Sequence, residues 1–312
     1  MTPAPRQVWL PVQFADLAGL PAGLRYGRWD GGPVYPSDPA EVEFYVPPLV
    51  QDVGTVTRPL RLMTRLDVVQ ALSSGTDGLR EALRRLPRRV VLCNAKGVHS
   101  RSTAELALSL VLCSLRGMPD FTRAQDLRLW KPEMHPSLYG RSVLIVGYGS
   151  VGSAVEDLLV PFGCAVTRVA RTDRASPRGP VHGVSRLPEL AAGAEVVLLT
   201  TELNRGTRHL VDADLLARLP DGALLVNVSR GPVVDTAALV EAVRGGRIRA
   251  ALDVTDPEPL PAGHPLWETP GVLITPHIGG VTTTLWPRLE ELIRRQLERF
   301  AAGRELDNVV AY

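Results

Sequence analysis

Three polar residues of complementary chemistry follow short apolar runs in the second half of this 312-residue chain. They are Arg230 in residues 227–231, Glu258 in residues 256–259 and His277 in residues 275–280. A guanidinium holds a carboxylate through two parallel hydrogen bonds, a geometry that lysine cannot imitate. An imidazole exchanges a proton near neutral pH, and a neighbouring carboxylate orients it and favours its protonated form. The three side chains therefore predict acid–base chemistry on a small anionic substrate.

Each of the three also has a purely structural interpretation when it is taken alone. Arg230 can be an ion-pair partner, Glu258 an exposed loop residue and His277 a histidine bonded within its turn. Their joint occurrence at the ends of successive strands, where doubly wound sheets bind ligands, favours catalysis.

A glycine-rich loop lies upstream, between a short apolar run and a helix-compatible stretch. Gly147, Gly149 and Gly152 have the spacing of a dinucleotide-binding turn. The first glycine permits the tight turn, the second lets a pyrophosphate approach the backbone, and the third lets helix and strand pack closely. Free N–H groups at the start of the helix, with Ser150 and Val151 in its first turn, then hold the anion. Loop and polar residues together predict a dehydrogenase acting on a small 2-oxo or 2-hydroxy acid.

The choice of electron carrier depends on the residues that follow the next strand. That strand should end near residue 170, where an NAD site usually carries an acid for the ribose hydroxyls. The chain has Arg171 and Thr172 at this point. No carboxylate repels a 2′-phosphate there, and Arg171 offers a fork that matches it. NADP(H) is the predicted preference, and NAD(H) stays possible because Asp173, a little further along, can still serve the ribose.

Compact apolar runs alternate with helix-compatible segments from residue 142 onward. Strands that are apolar on both faces and alternate with helices predict a parallel sheet covered on both sides. The predicted fold here is a doubly wound Rossmann α/β domain, with strands at residues 143–146, 165–167, 196–199, 224–226, 250–252 and 272–274.

The first ninety or so residues alternate apolar runs with turns rich in proline and glycine, which predicts strands at residues 8–10, 43–46, 66–70 and 90–93. Residues 102–105 have the form of a capping box and predict a helix from Ala104 to Leu115, ended by Gly117 and Pro119.

An amphipathic stretch at residues 284–302 predicts a last helix that packs back on the first domain. The predicted organisation is a dinucleotide-binding domain of residues 95–283 and a smaller, discontinuous, flavodoxin-like α/β substrate domain of residues 1–94 and 284–312. Trp130 and Trp286 are expected to pack in the fold, with a cleft or dimer contact as the alternative.

Composition and charge indicate which kinds of ligand and cellular location to expect. Hydrophobic residues make up 45% and charged residues 22% of the chain, and the net charge is +2, all typical of a soluble globular enzyme. The arginines are scattered among acids, so no nucleic-acid surface is expected. The three cysteines lack metal-ligand spacing and are expected to be buried thiols, with no metal site. Neither a secretory signal in the first residues nor a membrane-spanning run is recognised, which predicts a cytoplasmic protein.

These motifs resemble the D-isomer-specific 2-hydroxyacid dehydrogenases, a family that includes glyoxylate/hydroxypyruvate reductases. The resemblance runs from about Val90 to Phe300 and is faint before that. It rests on ordered motifs at residues 104–107, 147–152, 227–231, 252–259 and 276–280. Residues 71–77 look like the family's substrate-carboxylate loop.

The resemblance implies NAD(P)-dependent reduction of a 2-oxo acid to the D-2-hydroxy acid, a two-domain fold with an active-site cleft, and usually a homodimer. It also implies roles for matching residues. Arg230 holds the substrate carboxylate and polarises the substrate carbonyl, His277 is the acid/base, and Glu258 is the partner of His277. The backbone amides of Ser74 and Gly75 bind the substrate carboxylate, and Asp253 lies near the nicotinamide carboxamide. Further predicted cofactor contacts are Thr201, Thr207, Val228 and Gly279.

Two departures and three alternatives remain at this point. The usual ribose-binding acid is absent, and residues 47–50 carry no obvious basic substrate contact, so the substrate side chain is open. The chain could act on a phosphorylated hydroxy acid, although such relatives often carry an extra C-terminal domain. A formate dehydrogenase is another alternative, but such enzymes pair their histidine with an amide, whereas Glu258 is a carboxylic acid. A non-catalytic, dinucleotide-sensing binding protein could keep the same fold and residues.

Overall fold

The computed structural model describes residues 5–49 and 52–312. The first residues, on which the expectation about a secretory signal rests, and Val50 lie outside this part of the chain. The chain divides into two compact units, Met1–His99 with Thr283–Tyr312, and Ser100–Thr282. The predicted division had its boundaries after residues 94 and 283.

The described residues form fourteen strands and nine α-helices, numbered here along the chain. The strands are β1 Arg6–Pro11, β2 Leu24–Trp29, β3 Val42–Tyr45, β4 Val68–Gln70, β5 Val91–Cys93, β6 Ser142–Val146, β7 Ala165–Ala170, β8 Arg174–Ser176, β9 Gly179–Gly183, β10 Val196–Leu199, β11 Leu224–Asn227, β12 Arg249–Leu252, β13 Val272–Ile274 and β14 Val309–Val310. The helices are α1 Val53–Thr57, α2 Asp77–Arg84, α3 Ser100–Leu115, α4 Met118–Asp126, α5 Ser150–Leu159, α6 Leu187–Ala191, α7 Ala213–Arg218, α8 Thr236–Arg244 and α9 Leu285–Ala301.

The first unit is built on a six-stranded sheet of order β14-β5-β4-β3-β1-β2. Strands β1 to β5 are parallel and β14 pairs antiparallel with β5. The order of β1 to β5 is that of flavodoxin-like folds, as predicted. The four predicted strands are present, whereas β2 and β14 were not predicted.

Alternate residues of these strands pack on opposite faces of the sheet. Val8 and Phe44 join a cluster with Leu289 and Ile293 of α9, so the last helix packs on the N-terminal sheet. The other face, with Trp9, packs against residues of α1 and α2. Both faces of the sheet are therefore covered, which is why its strands are apolar on both sides.

The second unit is a doubly wound Rossmann domain. Its eight-stranded sheet has the order β13-β12-β11-β10-β6-β7-β9-β8 and is parallel except for β8. Clusters of buried apolar residues cover both of its faces. The chain leaves β6 toward β7 on one side and returns to β10 on the other. This switch point is where doubly wound sheets bind ligands, at the carboxyl ends of the strands.

All six predicted strands of this unit are present, as β6, β7 and β10 to β13. The β8–β9 hairpin was not predicted. It extends the sheet beyond β7 with short strands that carry arginine, proline and glycine instead of a continuous apolar run.

Two local predictions were wrong. Helix α3 begins at Ser100, so the predicted capping box lies inside it, and the Ser102 hydroxyl lies 3.3 Å from that of Thr282. Trp286 packs edge-on against Phe14 at 5.9 Å, as expected, but Trp130 is 98% exposed and does not pack in the described part of the fold.

In the part of the chain that the structure describes, no helix is long and apolar enough to cross a membrane. The same residues contain no group of three or more His, Cys, Asp or Glu side chains that could hold a metal ion.

Candidate active site

Arg230, Glu258 and His277 follow three strands that are neighbours in the sheet. Strand β11 pairs with β12, and β12 with β13, all parallel. Because the carboxyl ends of parallel strands lie at one edge of a sheet, the loops that follow them meet there. The predicted trio therefore comes from adjacent loops of a single unit.

The turn that carries Arg230 is fixed by a fully buried amide. The Asn227 Oδ1 accepts hydrogen bonds from the N–H and the hydroxyl of Ser229, at 3.0 and 2.8 Å. Its Nδ2 donates to the Arg230 carbonyl at 2.9 Å. The polar ends of Asn227 are thus used up in shaping the turn, which explains an asparagine at the end of an apolar strand.

Gly231 lets the loop after β11 touch the loop after β12. A Cβ at this position would lie 1.8 Å from the carbonyl oxygen of Thr255, far inside van der Waals contact. Only glycine permits this approach of two backbones. The contact places Arg230 close enough to Glu258 to act on its ionisation.

Glu258 and His277 form the central pair of the site. The His277 Nδ1 lies 2.5 Å from the Glu258 Oε1, and both side chains are partly exposed. Burial raises the pKa of Glu258, but the hydrogen bond and charge of His277, together with the charge of Arg230, outweigh it, so the pKa lies below its ordinary value. Among the described residues the Nε2 of His277 has no hydrogen-bond partner, so it is free to face a ligand.

The turn that presents His277 is strained and is held by Asp253. His277 has a φ of 54°, in the left-handed region that non-glycine residues rarely adopt. Its N–H donates to the Asp253 carbonyl at 2.8 Å. The Asp253 carboxylate, 2% exposed, accepts from the Thr275 hydroxyl at 2.6 Å and from the N–H groups of Ile278 and Gly279, each at 2.9 Å.

Asp253 therefore positions His277, a role that sequence reasoning missed. The sequence offered the signal, since an acid directly after an apolar strand needs donors, but it was read only as a cofactor contact. That contact, with the nicotinamide carboxamide, stays a prediction. The N–H of Gly279, another predicted cofactor contact, is bonded to Asp253.

The glycine loop fits a dinucleotide pyrophosphate. Gly147 has a φ of 103°, and a Cβ on it would lie 2.4 Å from the Thr201 nitrogen. A Cβ on Gly152 would lie 2.9 Å from the Gly147 carbonyl oxygen, whereas one on Gly149 would have no neighbour nearer than 4.0 Å. The loop is thus packed at its first and third glycines and open at its second, as a phosphate approaching the backbone requires.

The start of helix α5 offers donors to the same ligand. The first N–H groups of a helix have no intrahelical acceptor, and no described side chain caps those of Ser150, Val151 and Gly152. Such groups, at the positive end of a helix, are suited to an anion.

The residues after β7 form a cationic edge. Arg171 and Thr172 are exposed, and Arg171 forms no ion pair with any described residue. The Asp173 Oδ1 accepts from the Gly183 N–H at 3.1 Å, so this carboxylate is bonded to the β8–β9 hairpin. The alternative of Asp173 as a ribose-binding acid would require that bond to be given up.

Arg174 belongs to this edge and was missed from the sequence. Its guanidinium donates to the carbonyl of Tyr148 in the glycine loop and lies 5.8 Å from the centroid of the Tyr148 ring. An arginine soon after Arg171 was visible in the sequence. The hairpin that turns it back toward the glycine loop was not predicted, so the arginine carried no signal.

The remaining predicted cofactor contacts lie on the same edge of the sheet or in its loops. Thr201 contacts Gly147, and Val228 follows β11 and is 8% exposed. The Thr207 hydroxyl donates to the Glu202 carbonyl at 2.6 Å and accepts from the Asn204 N–H at 2.8 Å, so it shapes its own loop.

Ser74 and Gly75 lie in the first unit, in the turn between β4 and α2. The Asn94 Nδ2 donates to the Ser74 carbonyl at 2.9 Å, and the Ser73 hydroxyl donates to the Gly75 carbonyl at 2.6 Å. The N–H groups of Ser74 and Gly75 donate to no acceptor among the described residues. The turn is therefore held through its carbonyls and keeps its donors available for an anion.

Known proteins resemble the chain over the second unit and beyond. Residues 108–279 match the family described as D-isomer specific 2-hydroxyacid dehydrogenase, NAD binding domain. The chain is 36% identical over 231 residues to the glyoxylate reductase/hydroxypyruvate reductase of Homo sapiens, a match that covers 70% of this chain and 68% of the human protein.

Two further similarities cover nearly the whole chain. The D-3-phosphoglycerate dehydrogenase of Mycobacterium bovis is 31% identical over 290 residues, which is 91% of this chain but 54% of that protein. The crystal structure of a D-isomer specific 2-hydroxyacid dehydrogenase from Xanthobacter autotrophicus Py2, in complex with NADPH and MES, superimposes with a TM-score of 0.82 at 32% identity, covering 99% of this chain and 98% of that one.

Proposed function

Because the chain belongs to the D-isomer specific 2-hydroxyacid dehydrogenase family, as its motifs predicted, we propose that it reduces a small 2-oxo acid of the glyoxylate or hydroxypyruvate type to the D-2-hydroxy acid. Membership makes the protein an oxidoreductase that uses a nicotinamide dinucleotide. The observation that carries the proposal is the 2.5 Å contact of His277 with Glu258 beside Arg230, at the carboxyl edge of the sheet.

The proposed chemistry assigns one task to each member of the trio. When bound, the reduced nicotinamide supplies the hydride for the carbonyl carbon of the substrate. Arg230 neutralises charge on the substrate and stabilises the negative charge that develops on its carbonyl oxygen. His277 gives a proton to that oxygen through Nε2, while Glu258 holds the imidazole by Nδ1. In the reverse direction His277 takes the proton back.

The substrate carboxylate needs hydrogen-bond donors held at fixed positions. We assign this task to Arg230 and, as the resemblance implies, to the backbone amides of Ser74 and Gly75. The planar guanidinium matches a carboxylate with two hydrogen bonds, and backbone amides in a fixed turn hold an anion without side-chain entropy cost.

NADP(H) is the proposed cofactor, in preference to NAD(H). Among the described residues, neither Arg171 nor Arg174 forms an ion pair with a carboxylate, and the adjacent acid Asp173 is bonded to the hairpin. A 2′-phosphate bound at this edge would meet positive charge and no repelling carboxylate.

The test is an absorbance assay of NADPH and NADH consumption by the purified protein. The panel contains glyoxylate, hydroxypyruvate, pyruvate, a bulkier 2-oxo acid and a phosphorylated one. Consumption with glyoxylate or hydroxypyruvate, faster with NADPH, is expected. A preference for the phosphorylated acid would favour the phosphorylated-hydroxyacid alternative. Tight NADPH binding without turnover of any acid would favour the dinucleotide-sensing alternative.

A further inference from the structure

A buried ionic group lies directly behind the glycine loop, and the proposed chemistry does not use it. Its members are Tyr148 in the loop, Glu156 in α5 and Arg168 in β7, called here the loop trio. Tyr148 is 7% and Glu156 4% exposed. Charged side chains are rarely buried to this degree without a partner or a task.

The loop trio is closed by hydrogen bonds on Glu156. The Tyr148 hydroxyl donates to the Glu156 Oε2 at 2.6 Å, and the Arg168 Nε donates to the same oxygen at 2.8 Å. A second guanidinium nitrogen of Arg168 donates to Oε1. Burial raises the pKa of Glu156, but the bonds from Arg168 and Tyr148 outweigh it, so the pKa lies below its ordinary value and the acid is ionised at neutral pH.

Tyr148 connects this buried group to the cofactor-facing surface. Its N–H donates to the Val169 carbonyl at 2.9 Å, which fixes the glycine loop to the end of β7. Its carbonyl accepts from the guanidinium of Arg174. Its ring has Arg168 at 5.7 Å and Arg174 at 5.8 Å from the centroid, so a single side chain lies near one partly buried and one exposed arginine.

We propose that the loop trio is a positioning device that fixes the conformation of the glycine loop and, through Tyr148, the position of Arg174, and that it thereby determines the preference for NADPH over NADH. The inference rests on the proposed function, because it assigns Arg174 to the cofactor. It adds that affinity for the 2′-phosphate depends on one residue of the loop, Tyr148, and on two residues behind it, of which Glu156 is buried and Arg168 has 11% of its side chain exposed.

The test measures the dissociation constants of NADPH and NADH by isothermal titration calorimetry. Tyr148→Phe removes one hydroxyl and keeps the ring. We expect it to weaken NADPH binding about threefold to tenfold, the range of one net hydrogen bond, and to change NADH binding by less than about twofold. Glu156→Gln keeps the side-chain shape without its charge and provides an independent variant with the same expected shift.

A double-mutant cycle separates positioning from general loosening of the fold. In an Arg174→Met background, Tyr148→Phe should lose its effect on NADPH binding, because the residue through which it acts is gone. A merely structural Tyr148 would weaken binding by the same factor in both backgrounds, and that result would overturn the inference. Wild-type affinity for NADPH in Tyr148→Phe would overturn it as well.

The matched control is Asp157→Asn. Asp157 neighbours Glu156 in α5 and forms an ion pair with Arg178 of the same hairpin, but both side chains are exposed, at 61% and 40%. We expect both dissociation constants to stay within about twofold of wild type, since exposed pairs contribute little. An equal loss in this control would contradict a specific role for the loop trio. If the unsubstituted protein prefers NADH, the proposed NADP(H) preference fails and the inference about its origin fails with it. If it prefers NADPH and Tyr148→Phe does not weaken NADPH binding, the inference about the loop trio alone fails.

Discussion

At the scale of single residues, the chemistry depends on what each side chain is already bonded to. Glu258 occupies Nδ1 of His277 and leaves the other ring nitrogen for the substrate. The Asp253 carboxylate is used by the turn behind His277. The division of work between these two acids explains why one is exposed and the other buried.

Arg230→Ala and His277→Ala should each lower kcat/KM by about two orders of magnitude or more, the scale of a lost general acid or a lost charge at the reacting oxygen. Neither residue belongs to the glycine loop, so NADPH affinity measured by calorimetry should persist. Arg230→Lys is the informative control: it keeps the charge but not the fork, and should recover only part of the activity. Near-normal turnover in either alanine variant would refute the assigned roles.

Glu258→Gln should move a limb of the pH–rate profile. The lowered pKa of Glu258 means that it is ionised across the neutral range, where it favours protonated His277. Glutamine carries no charge and cannot do so. The acid limb of hydroxy-acid oxidation and the alkaline limb of 2-oxo acid reduction should both move to lower pH. Profiles that superimpose on wild type would count against this pairing.

The same lowered pKa gives Glu258 a stabilising contribution with a defined pH range. A carboxyl whose pKa is lower in the folded state stabilises the fold above its unfolded pKa and loses that contribution as the pH falls through the folded value. Since the Glu258 side chain is 37% exposed, solvent screening keeps the contribution small, and activity is the better measurement.

At the scale of elements, the site depends on two loops that approach without side chains between them. Gly231→Ala would place a Cβ 1.8 Å from the Thr255 carbonyl oxygen, so one backbone has to move. We expect a loss of about 1–3 kcal/mol in the free energy of unfolding, the cost of overpacking a close contact. The kcat/KM should fall even under conditions where the variant stays folded, because Arg230 moves relative to Glu258.

Gly245→Ala is the matched control for this substitution. Gly245 has an ordinary helical φ of −68°, and a Cβ there would meet nothing nearer than 3.6 Å. The change should leave activity intact and leave the midpoint of chemical denaturation equal to or slightly above wild type. A Gly231→Ala protein as stable and active as Gly245→Ala would show that the two loops can accommodate a Cβ at residue 231, and it would contradict this prediction.

The same scale shows how far the sequence could predict the fold. The strands of the central parallel sheet were predictable, because burial on both faces makes each a continuous apolar run. β2 and the β8–β9 hairpin lie at sheet edges, are partly exposed and contain glycine or proline, so periodicity gave no signal. Helix α3 starts before its apparent capping box, and the Ser102 hydroxyl, instead of capping the helix, lies near that of Thr282, a residue distant in sequence.

The site was predictable only in its directly reacting residues. Arg230, Glu258 and His277 stand in motifs whose residue types the chemistry requires. The support behind them was not predictable: the Asp253 bonds to the His277 turn and the Gly231 contact with Thr255 depend on which strands are neighbours in space. Local sequence patterns do not show which strands are neighbours in space, so these contacts could not be predicted from them.

At the scale of the whole molecule, exposed apolar side chains concentrate in the segment that follows α4. The exposed fractions are 69% for Leu127, 57% for Leu129, 98% for Trp130, 101% for Met134 and 71% for Tyr139. Scattered apolar residues are ordinary on protein surfaces, but a group within one short segment is typical of an interaction site. The family resemblance implies a homodimer, and we predict that this segment forms its contact.

The predicted homodimer should have twice the 33.8 kDa mass of the chain in size-exclusion chromatography with light scattering. Trp130→Glu combined with Met134→Glu should shift the mass to that of one chain, because a charge in an apolar interface loses its hydration without a partner. Val34→Glu is the control, since Val34 is also 80% exposed but is not part of this segment, and it should leave the mass unchanged. A wild-type protein that elutes as one chain contradicts the homodimer outright. A dimer that survives the double substitution places the contact elsewhere on the surface, and the exposure of Trp130 would then need a different partner to explain it.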